Sequence, residues 1–247
     1  VIALMMSVTY QNCSDVRLSQ KEQVADIASK GGMCIVPPKK TVWSKVMFIV
    51  DKSGSNRNHD PDDVRRADNI EAFYQKILVD PKADFYKWSY IVFGVETNKA
   101  ESFINDADGY ADFGDHADMA DAIQQHRATP EDGCTPYITA LDLAKQAIER
   151  DIEDHPDEES IYNIFFMSDG FPNDANQVNG CGNGLVTNSP DDPYLNKVKD
   201  VVSVAPDKIF LSTAYYTPLQ FDPGRQAARG LEYMAEAGGG NFVDLQG

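Results

Sequence analysis

Five short apolar runs constrain this chain more than any other feature: Val46-Met47-Phe48-Ile49-Val50, Tyr90-Ile91-Val92-Phe93, Ile161 to Met167, Ile209-Phe210-Leu211 and Phe242-Val243. They are nearly continuous rather than alternating, which is the pattern of strands covered on both faces, as in a parallel sheet. Between them, apolar residues recur at spacings of three and four. Val64, Ala67, Ile70, Phe73 and Ile77 form one such face, and Ile138, Leu141, Ala144 and Ile148 a second. Leu195, Val198 and Val202 form a third, and Ala227, Leu231 and Met234 a fourth. Strands alternating with helices through short connections predict right-handed crossovers and a doubly wound, mostly parallel α/β sheet flanked by helices. Each of the four helices is expected to open on an oxygen-bearing cap followed by proline, at Asp60-Pro61, Thr135-Pro136, Asp192-Pro193 and Asp222-Pro223. Such a cap satisfies free N–H groups, and proline gives up no helical hydrogen bond there.

This regular pattern begins at Lys45, so the chain divides into a domain over 45–247 and an N-terminal appendage over 1–44. The appendage holds a helical stretch near Gln20–Ser29, closed by Gly31-Gly32, and a stiff Pro37-Pro38-Lys39-Lys40 linker. It opens on an apolar run, Val1 to Val8, ahead of Cys13. Two readings stand: the end of a bacterial secretion signal with a lipid-accepting Cys13, or a buried N-terminal strand. The four cysteines, Cys13, Cys34, Cys134 and Cys181, contain no CxxC pair and no zinc spacing. Their even number fits two disulfides in an oxidising compartment; of the three pairings that four cysteines allow, Cys13–Cys34 with Cys134–Cys181 is favoured, and buried free thiols are the alternative. The expected location is extracytoplasmic, secreted or at the cell surface, with membrane attachment where Cys13 carries lipid.

Charge narrows the partners. With 22 Lys+Arg against 39 Asp+Glu the net charge is −17, which repels nucleic acid and anionic membranes alike. No apolar run reaches the roughly 18–20 residues that cross a bilayer. The histidines, His59, His116, His126 and His155, are scattered and read as surface residues.

In an open α/β sheet the ligand site lies beyond the carboxyl ends of the strands. There the first run leads into Asp51-Lys52-Ser53-Gly54-Ser55 and the run ending at Met167 leads into Ser168-Asp169-Gly170. Thr135 stands at a helix start that the topology puts on the same edge. Two carboxylates and three hydroxyls are hard oxygen donors, suited to Mg²⁺, Mn²⁺ or Ca²⁺ rather than zinc or copper.

Asp51-x-Ser53-x-Ser55 after an apolar strand, then Thr135, then Ser168-Asp169-Gly170, resembles the von Willebrand factor A family and its metal-ion-dependent adhesion site, from about Lys45 onward. The resemblance implies a metal held by Ser53, Ser55 and Thr135, with Asp51 and Asp169 acting directly or through water. It also implies one open coordination position for a carboxylate of a protein or glycoprotein partner. Lys52 departs from the small or apolar residue usual in the family and is expected to bring a positive charge near the rim. The long Phe171–Asp192 segment reads either as a recognition loop fixed by Cys181 or as a solvated insertion.

Three functions follow. The leading one is a non-enzymatic, metal-dependent adhesion module, and the second is a structural subunit of a surface fibre or secreted assembly. The third is a Mg²⁺-dependent phosphohydrolase with Asp51 as nucleophile. That chemistry wants a second acid two residues on, where this chain has Ser53, and no Walker-type loop is present.

Overall fold

The computed structural model describes residues 41–96, 99–173 and 184–245. The appendage's helix and linker, together with Cys13, Cys34 and Cys181, lie outside them. The first strand, β1 (Val42–Asp51), precedes a short helix α1 (Asn56–His59), a π-helical turn over Val64–Asp68, and α2 (Asn69–Leu78). Next come β2 (Tyr86–Phe93), β3 (Ala100–Ser102), α3 (His116–Ala128), α4 (Tyr137–Asp154) and β4 (Glu159–Ser168). The chain finishes through α5 (Pro193–Val202), β5 (Ile209–Tyr215), α6 (Gln226–Ala237) and β6 (Gly239–Asp244). The six strands form one sheet in the order β3-β2-β1-β4-β5-β6, parallel throughout except for β3. This is the expected doubly wound α/β architecture.

The lack of alternation in β1 has a direct cause. Met47 and Ile49 face a core built with Leu141 of α4, Val198 of α5 and Leu231 of α6. Val46, Phe48 and Val50 face the opposite core, with Ile70 and Tyr74 of α2 and Met119 and Ile123 of α3. Each such side chain, taken fully out of water, contributes about 1.5–3 kcal/mol. No position on β1 between Val46 and Val50 reaches solvent.

Several expectations need correction. Only Asp192 opens its helix as foreseen, accepting from the Tyr194 and Leu195 N–H groups with Pro193 at the first helical position. Asp222 caps α6 from four residues upstream, accepting from Gln226 and Ala227. Asp60 accepts from the N–H groups of Arg65 and Arg66 inside the π turn, so no helix starts at Pro61. That turn shifts the helical phase and leaves Val64 53% exposed, while Ala67 and Ile70 stay buried. Thr135 does not cap α4, which begins at Tyr137 without a side-chain cap. The edge strand β3 and helix α3 were not foreseen. A reciprocal Asp115–Asp118 capping box starts α3, and its buried stripe includes the polar His126.

His126 is fully buried, with Nε2 3.2 Å from Asp63 Oδ1, so it is no surface residue. Burial holds its pKa down at about 4, against 6.5 for a free histidine. Between those values the unfolded chain binds the proton that the folded chain refuses, so stability falls as pH drops from 6.5 to about 4. Urea midpoints across that range are expected to decline more steeply for the parent than for His126→Gln. Equal slopes would contradict this.

Candidate metal centre

The register places the candidate residues side by side. Val50 pairs with Met167, Asp51 with Phe93 and Ser168 with Tyr215, so the strands end level and their loops leave from one edge. Asp51 is fully buried there, and both of its carboxylate oxygens are engaged. Oδ1 accepts from the Ser53 N–H at 2.8 Å and from Asn56 Nδ2 at 3.3 Å; Oδ2 accepts from Ser168 Oγ at 2.6 Å. Burial, together with the Asp169 charge nearby, pushes Asp51 up from 3.8 to about 7. Two carboxylates whose charges oppose each other favour a cation nearby.

The hydroxyls continue the chain of contacts. Ser53 Oγ and Ser55 Oγ are 3.0 Å apart, and Ser55 Oγ donates to Asp169 Oδ1 at 3.0 Å. Asp169 is held from behind by Thr217, whose hydroxyl donates to the Asp169 carbonyl. Ser53, Ser55, Thr135 and Asp169 line one cleft of about 340 Å³, also bordered by His59, Asn173 and Phe221. Asp51 lies behind this lining. All five residues singled out in the sequence therefore gather at one edge, four on the cleft wall and Asp51 beneath them. Thr135 is free of capping duty, and its carbonyl accepts from the Asn173 N–H at 2.7 Å.

The β1–α1 loop and the loop before α4 meet through Gly54 N–H to the Gly133 carbonyl at 3.2 Å and Asp132 N–H to the Lys52 carbonyl at 3.1 Å. They can approach because of Gly94, at the end of β2, whose φ is +81°. A Cβ there would come within 2.5 Å of the Cys134 carbonyl oxygen and 2.8 Å of the Ser53 nitrogen.

Lys52 does not reach the rim. It is buried, with Nζ 3.3 Å from Asp63 and 3.7 Å from Glu131, and burial lowers its pKa. Beside it, Arg66 is fully buried and pairs with Asp60, Asp63 and Glu131, while its Nη1 donates to the Asp51 carbonyl at 2.8 Å.

Sequence reasoning missed His59. It falls four residues after Ser55, and its Nδ1 lies 2.6 Å from Asp169 Oδ2. The available signal was its place one helical turn beyond the serines, on the segment that carries them.

Cys134, next to Thr135, is buried and disulfide-bonded, with its partner outside the described residues. Pairing with Cys181 remains the expectation, and a bridge closing a loop of that length is worth about 3–4 kcal/mol. Peptide mapping of unreduced protein is expected to recover Cys134 joined to Cys181. A different partner, or four alkylatable thiols, would exclude it.

A level strand edge, helices on both faces and a polar crevice at the carboxyl ends define a doubly wound α/β domain, and its fold is like that of solved von Willebrand factor type A structures. Solved structures share this fold. The chain resembles the pilus adhesin SpaC from Lactobacillus rhamnosus GG (TM-score 0.54, 13% identity, 85% of this chain and 28% of that one). It also resembles the PilB minor pilin from Streptococcus sanguinis (0.52, 14%, 85% and 59%). A third similar structure is the von Willebrand factor type A protein from Catenulispora acidiphila (0.50, 15%, 84% and 39%). The chain thus spans less than two thirds of each of these proteins. No family model matches the sequence, and no curated protein matches it.

Proposed function

We propose that this domain is a metal-dependent binding module that captures a protein or glycoprotein partner through a divalent cation bridging to an acidic group. The observation that carries this reading is the unbroken contact chain Ser53 Oγ, Ser55 Oγ, Asp169 Oδ1 on the wall of an open cleft, with Asp51 behind it. Among the described residues no three His, Cys, Asp or Glu side chains gather as a metal cluster. Two carboxylates and neutral hydroxyls nevertheless fit Mg²⁺, Mn²⁺ or Ca²⁺. Ser53, Ser55, Thr135 and Asp169 would hold the cation, and Asp51 would act through its neighbours or through water. The cation would supply an electrophile that hydroxyl ligands leave largely unneutralised. Asp51 and Ser168 fix the loop, and Thr217 fixes the backbone of Asp169.

Asp51 as a phosphohydrolase nucleophile fits poorly, because it is fully buried with both oxygens in hydrogen bonds. An extracytoplasmic setting is supported by the disulfide at Cys134. Among the described residues no helix is long and apolar enough to cross a membrane. The lipid anchor proposed at Cys13 falls outside the described residues.

The test is a peptide array carrying Asp- and Glu-containing sequences and their Asn and Gln counterparts, probed with full-length protein. Binding is expected for a subset of acidic peptides, to be lost on the amide change, and to be abolished by EDTA and restored by Mg²⁺ or Mn²⁺. Binding indifferent to chelation would overturn metal-bridged capture and favour a structural subunit.

A further inference from the structure

We propose that His59 is a nitrogen donor to the cation of this cleft and shifts the site's preference away from Mg²⁺ and Ca²⁺ toward Zn²⁺. The inference rests on the metal-site reading above. It starts from position: Asp51, Ser53, Ser55 and His59 lie on one continuous segment, and His59 ends α1. Its Nδ1 faces Asp169 Oδ2 at 2.6 Å, and its side chain is 13% exposed. The ring packs against Phe221, with centroids 4.4 Å apart, so its plane is held on one side while its nitrogen edge is aimed at the carboxylate. His59, Phe221, Ser53, Ser55, Thr135 and Asp169 all line the same cleft.

The other three histidines are committed elsewhere. His116 Nδ1 accepts from Trp88 Nε1, His126 contacts Asp63, and His155 contacts Asp151. Among the described residues His59 alone brings an imidazole to the cleft.

Adding one imidazole changes what the donor set selects. Carboxylates, hydroxyls and water suit Mg²⁺, Ca²⁺ and Mn²⁺, whereas imidazole suits zinc and the later first-row ions, whose affinities also rise along the series. An ion taking Nδ1 needs that nitrogen free of a proton and replaces the present His59–Asp169 contact. A different role would leave selectivity unchanged: a histidine that only orients Asp169 would strengthen every cation alike.

These alternatives separate in one experiment on the full chain under non-reducing conditions. Mg²⁺ and Zn²⁺ are titrated calorimetrically into the parent, His59→Phe and Asp169→Ala, and pulsed electron paramagnetic resonance is recorded on the Mn²⁺-loaded parent and His59→Phe. Phenylalanine keeps a ring against Phe221 and removes the nitrogen. The ratio of Zn²⁺ to Mg²⁺ affinity is expected to fall at least about tenfold in His59→Phe, because a lost imidazole costs Zn²⁺ more than Mg²⁺. Coupling from a directly bound imidazole nitrogen is expected in the parent and absent in the variant. Equal loss of both metals, or Mn²⁺ bound at a site that needs Asp169 but without nitrogen coupling, would overturn the role of His59 and leave the metal-site reading intact. Failure of the parent to bind any of these cations, or binding indifferent to Asp169→Ala, would overturn both.

Discussion

Asp51→Asn protein is expected to fold like the parent and to bind Mg²⁺ or Mn²⁺ about a hundredfold more weakly. Asparagine fills the same space, and its carbonyl oxygen can still accept from the Ser53 N–H. It removes the negative charge that burial and Asp169 already make costly, so the metal-free fold loses no favourable ion pair at that position. Alanine is the poorer probe. It would leave the Ser53 N–H and Ser168 Oγ short of an acceptor in a buried place, at about 1–3 kcal/mol for each group left unpaired, while Asn56 Nδ2 would keep only the backbone carbonyl of residue 51. Calorimetric titration alongside circular dichroism decides the matter. Undiminished metal affinity in folded Asp51→Asn protein would remove Asp51 from the site.

Arg66→Met should produce the largest loss of stability, about 3–5 kcal/mol, because one fully buried guanidinium serves three carboxylates. Without it Asp60, Asp63 and Glu131 lose their shared cation, and Lys52 stays near Asp63 and Glu131 while His126 contacts Asp63. The damage should reach the cleft as well: Arg66 holds the Asp51 carbonyl, and Glu131 lies on the loop that leads to Thr135. Lysine should rescue little, since it cannot reproduce the planar fork that donates in several directions at once. Urea denaturation measures the stability, and metal titration of the folded fraction measures the second effect. A loss under 1 kcal/mol would mean that the buried cluster is balanced without its central cation.

The sheet was legible because its cause is local. A strand pinned between two helical layers must be apolar at every position, and Val46 to Val50 says so directly. The loop acids and hydroxyls were legible for a related reason, since each follows a strand or precedes a helix on a known edge. Three things were hidden. α3 carries only a thin apolar stripe that buries a histidine, so its periodicity is faint. The π turn moves Val64 off the face that its spacing implies. Lys52 and His59 look like ordinary polar residues until the fold supplies their partners, Asp63 and Glu131 for one and Asp169 for the other. Long-range charge pairing leaves no periodic trace in a sequence.

Gly94 gives the cleft a property that none of its donors carries. β2 contributes no oxygen to the site, yet its last turn sets how near Ser53 and the Cys134–Thr135 segment can come. Mg²⁺ holds its ligands at about 2.0–2.1 Å and Ca²⁺ at about 2.3–2.6 Å, so a few tenths of an ångström between two loops amount to a choice of ionic radius. For any cation the cleft would hold, the gauge for that choice is a missing methyl group just past the end of β2.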